Sequence, residues 1–592
     1  MSVPVGPSLL HAFRPSALRV VRRTGAADCA PLAMDLHPVL QRIYASRGIR
    51  TADDLDTSLQ RLLPVSTLEG VDAAVDLLLE HRNGRVLIIG DFDADGATST
   101  ALMVRALRGW GFASVDFLVP NRFEFGYGLT PEIVALAAGR APTLIVTVDN
   151  GISSLAGVSA ARAMGVAVLI TDHHLPGAQL PCAHVIVNPN VPGSRFASRS
   201  LAGVGVAFYV MAALKRRLDL LGMTSVAAPV PAQFLDLVAL GTIADLVPLD
   251  ANNRILVSQG LKRIRANACV PGISALLEIA ARSGAALTAA DLAFAVAPRL
   301  NAAGRIDDMS VGIRCLLADD AQVARGLAEQ LNAFNVERRA IEARMQADAL
   351  LAVRRLRYPG PQALQRAGVC LYDESWHQGV VGLVASRVKD RLRRPVIAFA
   401  LAGEQLRGSA RSVAGIHIRD VLDSIATRYP ELICRFGGHA MAAGLTLERA
   451  HLDAFAKAFD AEVARWAARS VSADAIETDG ELAVQEIALE TASAIRRGGP
   501  WGQAFPEPCF DGEFTIHSTR VVGERHLKMW VEAARSGRSF DAIAFNHIEE
   551  AAGFVPPSGA VRLVYRLDIN EYQGERRLQL LVDHVLGGNR DG

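Results

Sequence analysis

The stretch LIIGDFDADGATST, Leu87–Thr100, is the most informative in this chain. An apolar run ends at Gly90, and Asp91, Asp93 and Asp95 follow within five residues, with no Lys or Arg among them. A buried strand that opens into three carboxylates needs an outside source of positive charge or a well-solvated loop, because like charges this close repel. The residues after them, ATSTALMVRALRGWG, carry the spacing of a helix. TLIVTVDNG repeats the theme and is followed by SSLAGVSAARAMG; VAVLITDHH and AHVIVNPN are the third and fourth apolar runs. Short strands separated by helices of a dozen residues predict a parallel, doubly wound α/β sheet. In such sheets ligands sit beyond the carboxyl ends of the strands. Asp91, Asp93 and Asp95, then Asp149, then Asp172-His173-His174 fall at three such ends.

The bulk properties fit several globular domains. A chain of 592 residues exceeds one ordinary core. Half of it is hydrophobic and 21% charged, and the net charge of +1 gives no blanket attraction to nucleic acid. The seven cysteines are scattered, odd in number and never in a CxxC pair, which speaks against a structural zinc or a disulfide framework and suits a reducing, cytoplasmic setting. No apolar run has the length of a membrane span. MSVPVGPSLLHAFRPSALRVVRR lacks the compact apolar core of a signal peptide and is expected to be a loose tail.

Five segments are expected: a tail over 1–45, an α/β domain over 46–255, a helical connector over 256–360 with a long linker helix, a second α/β domain over 361–470, and a β-barrel over 471–592. The barrel rests on the alternating runs RHLKMWVEAA, SFDAIAFN, VRLVYRLDINEY and RRLQLLVD, with the hairpin turn YQGER.

A divalent cation removes the repulsion of clustered carboxylates; oxygen ligands favour Mg²⁺, and an imidazole among them tilts the choice to Mn²⁺. An isolated DxDxDG loop is as often a solvated turn, and a twelve-residue calcium loop is excluded because Leu102 stands where its terminal Glu belongs. The joint occurrence of these motifs at successive strand ends is far more specific.

GDFDADGATSTAL, VTVDNGISS, TDHHLPG and LVALGTIADLVPLDANNRIL together resemble the DHH phosphoesterases. PRLNAAGRIDDMSVG, WHQGVVGLVASRVKDR, GSARS, FGGHAMAAGL, PWGQAFPEPCFDG, VGERHLKM and LDINEYQGERRLQ narrow the resemblance to the RecJ family of bacterial single-strand-specific exonucleases, from about Val20 to near the C-terminus. The resemblance implies a DHH domain, a DHHA1-type second domain, an oligonucleotide-binding (OB) barrel and two Mn²⁺ or Mg²⁺ ions. Asp93 would ligate one ion and Asp95 and His173 the other, with Asp149 bridging and Asp245 completing the second ion's shell; Asp91 would be a ligand or a supporting acceptor. Asp149, His173, His174 and Asp245 are the expected catalytic set, His174 meeting a phosphate oxygen unless it is a spectator beside the true ligand.

Phosphate contacts are expected from Arg299, Asn301, Arg305, His377, Ser409, Arg411, Gly437, Gly438 and His439, the last three as a glycine turn opening a helix whose amides face the strand. Arg525 and Lys528, with Trp530 and Tyr572, are candidates on the barrel, and each of the four also fits core or ordinary surface. LAGVGVAF lacks the third glycine of a dinucleotide turn and is expected to be a packed turn. No GKS or GKT phosphate loop accompanies the site, which speaks against ATP use.

The expected function is a metal-dependent 5′-to-3′ exonuclease that cuts single-stranded DNA to 5′-mononucleotides, in recombinational and mismatch repair. The resemblance further implies a helicase and a single-strand-binding protein as partners and a monomeric enzyme. A compact small-molecule phosphodiesterase, pyrophosphatase or oligoribonuclease fits the long C-terminal barrel poorly. A decayed DNA-binding scaffold has no use for a costly charge cluster.

Overall fold

The computed structural model describes residues 19–24, 36–120, 128–356 and 366–587, apart from 283, 414, 439, 468–474, 524, 535, 549–553 and 573–574. Strand β1 (Arg19–Arg22) and helices α1 (Pro38–Ser46) and α2 (Val71–Glu80) precede the first sheet. That sheet has β2 (Arg85–Gly90), β3 (Ser114–Leu118), β4 (Leu144–Val148), β5 (Ala167–Thr171) and β6 (Val185–Val187), all parallel, in the order β3-β2-β4-β5-β6. Its crossovers include α3 (Ala94–Gly109), α4 (Pro131–Ala138) and α5 (Leu155–Ala163), and α6 (Gly203–Leu220) and α7 (Leu235–Ala244) follow the last strand.

The continuous apolar runs are explained by burial on both faces. Val86 and Ile88 of β2 face one core with α3 and α6, while Leu87 and Ile89 face the other with Ile133 and Val158 of α4 and α5. The strands carrying the acidic motifs, β2, β4 and β5, are adjacent, so their carboxyl ends converge.

The connector comprises α8 (Ala251–Arg265), α9 (Pro271–Ile279), a short α10 (Ala289–Asp291) running through a π-turn into α11 (Ala297–Ile306), α12 (Ser310–Leu317) and α13 (Ala321–Leu356). α13 packs on α9, α11 and α12 at its start. Further along, Met345 and Ala349 enter the core of the second domain, so one helix braces both bodies.

The second sheet contains β7 (Val369–Tyr372), β8 (Val396–Ala402), β9 (Gln405–Arg411), β10 (Arg435–Gly438) and β11 (Ala442–Glu448), in the order β10-β11-β9-β8-β7. It is flanked by α14 (Val381–Leu392), α15 (Ile418–Arg428) and α16 (Leu452–Ala467). β12 (Ala475–Thr478) and α17 (Leu489–Gly498) lead to the barrel, closed from β13 (Phe510–Val522), β14 (His526–Ala533), β15 (Ser539–Ala544), β16 (Gly559–Tyr572) and β17 (Glu575–Gly587).

Two expectations are corrected. The stretch expected to be a loose tail is ordered at its end, where β1 pairs in parallel with β12, and α1 begins at Pro38 within the 1–45 segment. This segment seats the barrel. Arg47 is bidentate to Asp479, at 2.7 and 3.0 Å, with both side chains 2% exposed. Tyr44, Trp501 and Phe505 stack, and Leu249 N–H donates to Gln503 O. The second correction is FGGHAMAAG, which forms no helix. Gly437 and Gly438 end β10, paired antiparallel with β11, and Gly438 at φ 144° lies against Ala443. Ala and Met favour a helix locally, but pairing of β11 with β9 decides the outcome. His439 lies outside the described residues.

Candidate metal centre

β2 ends at Gly90 and α3 starts at Ala94, so the three aspartates occupy the turn and the helix start. Asp93 caps α3, its Oδ1 accepting from the amides of Asp95 and Gly96 at 2.9 and 3.1 Å. Asp91 Oδ1 accepts from Phe92 N–H at 2.8 Å. Gly96 is required here, since a Cβ would come within 2.7 Å of Asp91 backbone atoms. Asp149 follows β4 in the left-handed region at φ 61°, an uncommon conformation for which Asp is among the better-suited side chains. Asn150 donates to Ile89 O and Val148 O, tying the ends of β2 and β4 together.

After β5, buried Asp172 accepts from the amides of Ile152, His173 and His174 and from His174 Nδ1 at 2.8 Å. Asn188 and Asn190 donate to the carbonyls of His174 and His173. Asp245 caps the end of α7, and His173 Nε2 lies 3.1 Å from Asp149 Oδ1 and 3.5 Å from Asp245 Oδ2.

Ligand-type atoms cluster in three overlapping groups, each within 4.8 Å: Asp91, Asp93 and Asp149; Asp95, His173 and Asp245; and Asp149, His173 and His174. Asp91 stands beside Asp93 in one group, Asp95 with His173 and Asp245 in another, and Asp149 falls in two of the three. Burial and then the charge of Asp93 push the Asp95 carboxyl up to about 7. Burial, followed by the surrounding carboxylates, raises Asp149 and Asp245 well above the usual carboxylate range. Burial opposes protonation of His174, but the bond to Asp172 and nearby carboxylates raise it to about 9. Burial works against ionised Asp172 as well, and there His174 and the donated bonds win, lowering it. Five crowded carboxylates and one imidazole edge form a hard, oxygen-rich donor set that fits Mg²⁺ or Mn²⁺.

The connector separates the predicted phosphate contacts. Asn301 Oδ1 accepts from Ala94 N–H at 2.8 Å, so it secures the aspartate loop. Gly304 lies so close that a Cβ would be 1.9 Å from Phe92 O. One residue on, Arg305 Nη1 donates to Gly379 O at 3.3 Å, and Gly379 N–H donates to His377 Nδ1. Arg299 donates to Asn332 and Ala295 O, bracing α11 on α13. Ser409 and Arg411 share a face of β9, 3.0 Å apart, with Gly382 of α14 against both. On the barrel Arg525 is exposed, Lys528 lies 3.1 Å from Asp541, and Trp530 is exposed.

Sequence reasoning missed Asn150, Asn188, Asn190 and the anchoring role of Asp172. It also took LAGVGVAF for a packed turn, whereas Gly203 is the first residue of α6, and the Gly203 and Val204 amides donate to Asp95 at 2.7 and 2.9 Å. The two glycines were the available signal.

A parallel sheet with clustered carboxylates and a histidine pair at adjacent strand ends defines a metal-dependent phosphoesterase of the DHH type. The DHH family, N-terminal domain, matches residues 85–242; the DHHA1 domain matches 365–465; and the RecJ OB domain matches 478–584. The single-stranded-DNA-specific exonuclease RecJ of Salmonella typhimurium is 51% identical over 575 residues, covering 96% of this chain and 99% of that protein. The crystal structure of RecJ in complex with Mn²⁺ from Thermus thermophilus superimposes with a TM-score of 0.77 at 31% identity, over 96% of this chain and 79% of that one. The Mg²⁺ complex from the same organism gives 0.72 at 29%, over 96% and 78%. The chain belongs to the RecJ family.

Proposed function

We propose that this chain is a two-metal exonuclease that degrades single-stranded DNA from the 5′ end to 5′-mononucleotides. Its DHH, DHHA1 and OB segments are assigned to 46–255, 361–470 and 471–592, joined by the connector. The relatives' shared name, single-stranded-DNA-specific exonuclease, supports the substrate, and the metals in the Thermus complexes support Mn²⁺ or Mg²⁺.

One set of contacts supports removal of nucleotides from a strand end. α11 touches the aspartate loop through Asn301 and Gly304 and the His377–Gly379 loop through Arg305, and the α14 start beyond that loop abuts Ser409 and Arg411. A terminal phosphate held by Ser409 and Arg411 would therefore be linked to the carboxylates through α11 and the start of α14, an arrangement suited to removing nucleotides from a strand end.

Asp91, Asp93 and Asp149 would hold one ion and Asp95, His173 and Asp245 the other, with Asp149 between. Bound ions supply an activated water and stabilise the leaving oxygen of an in-line displacement. His174, fixed through Nδ1 by Asp172, would present Nε2 to a phosphate oxygen. His377 and Arg305 would steady the penultimate phosphate. Roles in recombinational and mismatch repair, beside a helicase and a single-strand-binding protein, suit an enzyme that needs opened strands. Among the described residues no helix is long and apolar enough to cross a membrane.

The test is a single strand labelled separately at each end and incubated with and without Mn²⁺. Early mononucleotide release from the 5′ label is expected. Release from the 3′ label alone, or cutting within a circular strand, refutes the reading.

A further inference from the structure

Asp95 is 1% exposed and surrounded by Asp93, Asp149 and Asp245, yet nothing in its own turn holds its carboxylate in place. The restraint comes from elsewhere. Gly203 N–H donates to Oδ2 and Val204 N–H to Oδ1, 108 and 109 residues away. These are the first two amides of α6, which have no acceptor within their own helix. The residue at the cap position, Ala202, has no side-chain oxygen to offer them. Asp95 is thus the cap of α6, and α6 in turn fixes both oxygens of Asp95. The positive end of α6 meets this carboxylate, while Asp93 takes the first amides of α3.

The surrounding glycines make the approach possible. A Cβ on Gly203 would lie 2.7 Å from both Cβ and Oδ1 of Asp149. A Cβ on Gly241 of α7 would lie 2.3 Å from Thr98 Oγ1, 2.8 Å from Val204 Cγ1 and 2.9 Å from Asp95 Oδ1. Gly205, two residues along α6, differs: the atoms nearest its Cβ are those of the Leu201 side chain, at 2.5 Å from Cδ1, and not of a carboxylate.

We propose that the first turn of α6 is the positioning element of the metal centre, holding Asp95 in its ligating pose before any ion arrives, and that Gly203 and Gly241 are required to keep that turn against the carboxylates. The inference rests on the two-ion reading above. Gly203 abuts the shared Asp149 as well as holding Asp95, so its substitution disturbs both ion sites. The atoms nearest a Cβ on Gly241 belong to Thr98, Val204 and Asp95, so its substitution bears first on the site of Asp95, His173 and Asp245.

The test is calorimetric titration of Mn²⁺ into the full-length, chelator-stripped protein, with thermal unfolding of each apo variant alongside. Gly203→Ala should weaken Mn²⁺ binding at both sites by about 10- to 100-fold, the usual cost of removing a group that orients a metal ligand. Gly241→Ala should weaken one site and leave the other. Gly205→Ala, the same change on the same helix, should bind Mn²⁺ as wild type does. Wild-type affinity in both Gly203→Ala and Gly241→Ala overturns the proposal, as does an equal loss in Gly205→Ala. If Gly203→Ala does not unfold cooperatively, Gly241→Ala decides alone. A wild-type protein that binds one Mn²⁺ defeats the two-ion reading, while the affinity of Gly203→Ala at that site still judges the clamp.

Discussion

Replacing Arg47 by Ala tests how the barrel is attached. The guanidinium makes two bonds to Asp479, two to Pro506 O and one to Ile43 O, and lies 5.5 Å from the Trp501 ring centre. Its loss strands a carboxylate that is 2% exposed, and removing one partner of a buried pair costs about 3–5 kcal/mol. Asp479 keeps Cys509 N–H at 3.0 Å and Arg23 at 3.4 Å, which places the expected cost near the lower bound, about 3 kcal/mol. Asp479→Ala should cost less, because Arg47 retains its carbonyl partners. The double variant should fall well short of the sum, since no buried charge remains unpaired. A chain of several domains does not unfold in two states, so native-state amide exchange is the suitable measure. The Arg23, Asp479 and Cys509 amides bond across this junction. They should exchange about a hundredfold faster in Arg47→Ala, each 1.4 kcal/mol being tenfold. Unchanged exchange, or strictly additive single variants, would mean that this pair does not anchor the barrel.

Three further outcomes are expected. Asp149→Ala should abolish cleavage while single-strand binding, measured by fluorescence anisotropy, largely survives; near wild-type hydrolysis with Mn²⁺ would contradict the shared-ligand assignment. Arg411→Ala should erode the advantage of 5′-phosphorylated over 5′-hydroxyl ends by about 10- to 150-fold, a charge-assisted bond being worth about 1.5–3 kcal/mol; an unchanged ratio would remove the clamp. Burial works against ionised Asp511, but bonds from Arg22 and Thr478 and the charge of Arg562 lower its folded pKa, so its contribution is present above the unfolded value and lost as pH falls through the folded one. Asp511→Asn should therefore unfold at a lower temperature than wild type at pH 7, with the gap closing below about pH 4; a gap independent of pH would exclude the ion pair as its cause.

The metal-bearing sheet was legible because its two signals are local. Apolar runs such as Leu144–Val148 read as strands buried on both faces, and the charged residues directly after them mark the strand ends. Ser409 and Arg411 were legible for the same reason, the two-residue period of a strand placing both on one face. What escaped was set by distant partners. Nothing near Arg22 announces that Thr478 and Asp511 await it, so a four-residue strand passed for a tail. Asn301 looked like a group reaching for nucleic acid, and its acceptor is instead taken up by Ala94 N–H, 207 residues away. Gly437 and Gly438 misled because the small residues after them favour a helix, and only the neighbouring β9 makes them a hairpin.

The junction of β1 with β12 bears on synthesis. Arg22 finds Asp511 across 489 positions of chain. At roughly 5–20 residues per second, the ribosome needs about 25–100 s to cover that interval. The metal-bearing domain can fold meanwhile, but α1 leaves the exit tunnel with the aromatic face of Tyr44 uncovered until Trp501 and Phe505 arrive. Closing so long a loop adds little to its entropy cost, because each doubling of length costs only about 0.6 kcal/mol. The delay is therefore one of supply rather than of search. A nascent chain stalled before residue 475 would hold a complete carboxylate cluster and an unsatisfied first helix, a species that purified, finished protein would never reveal.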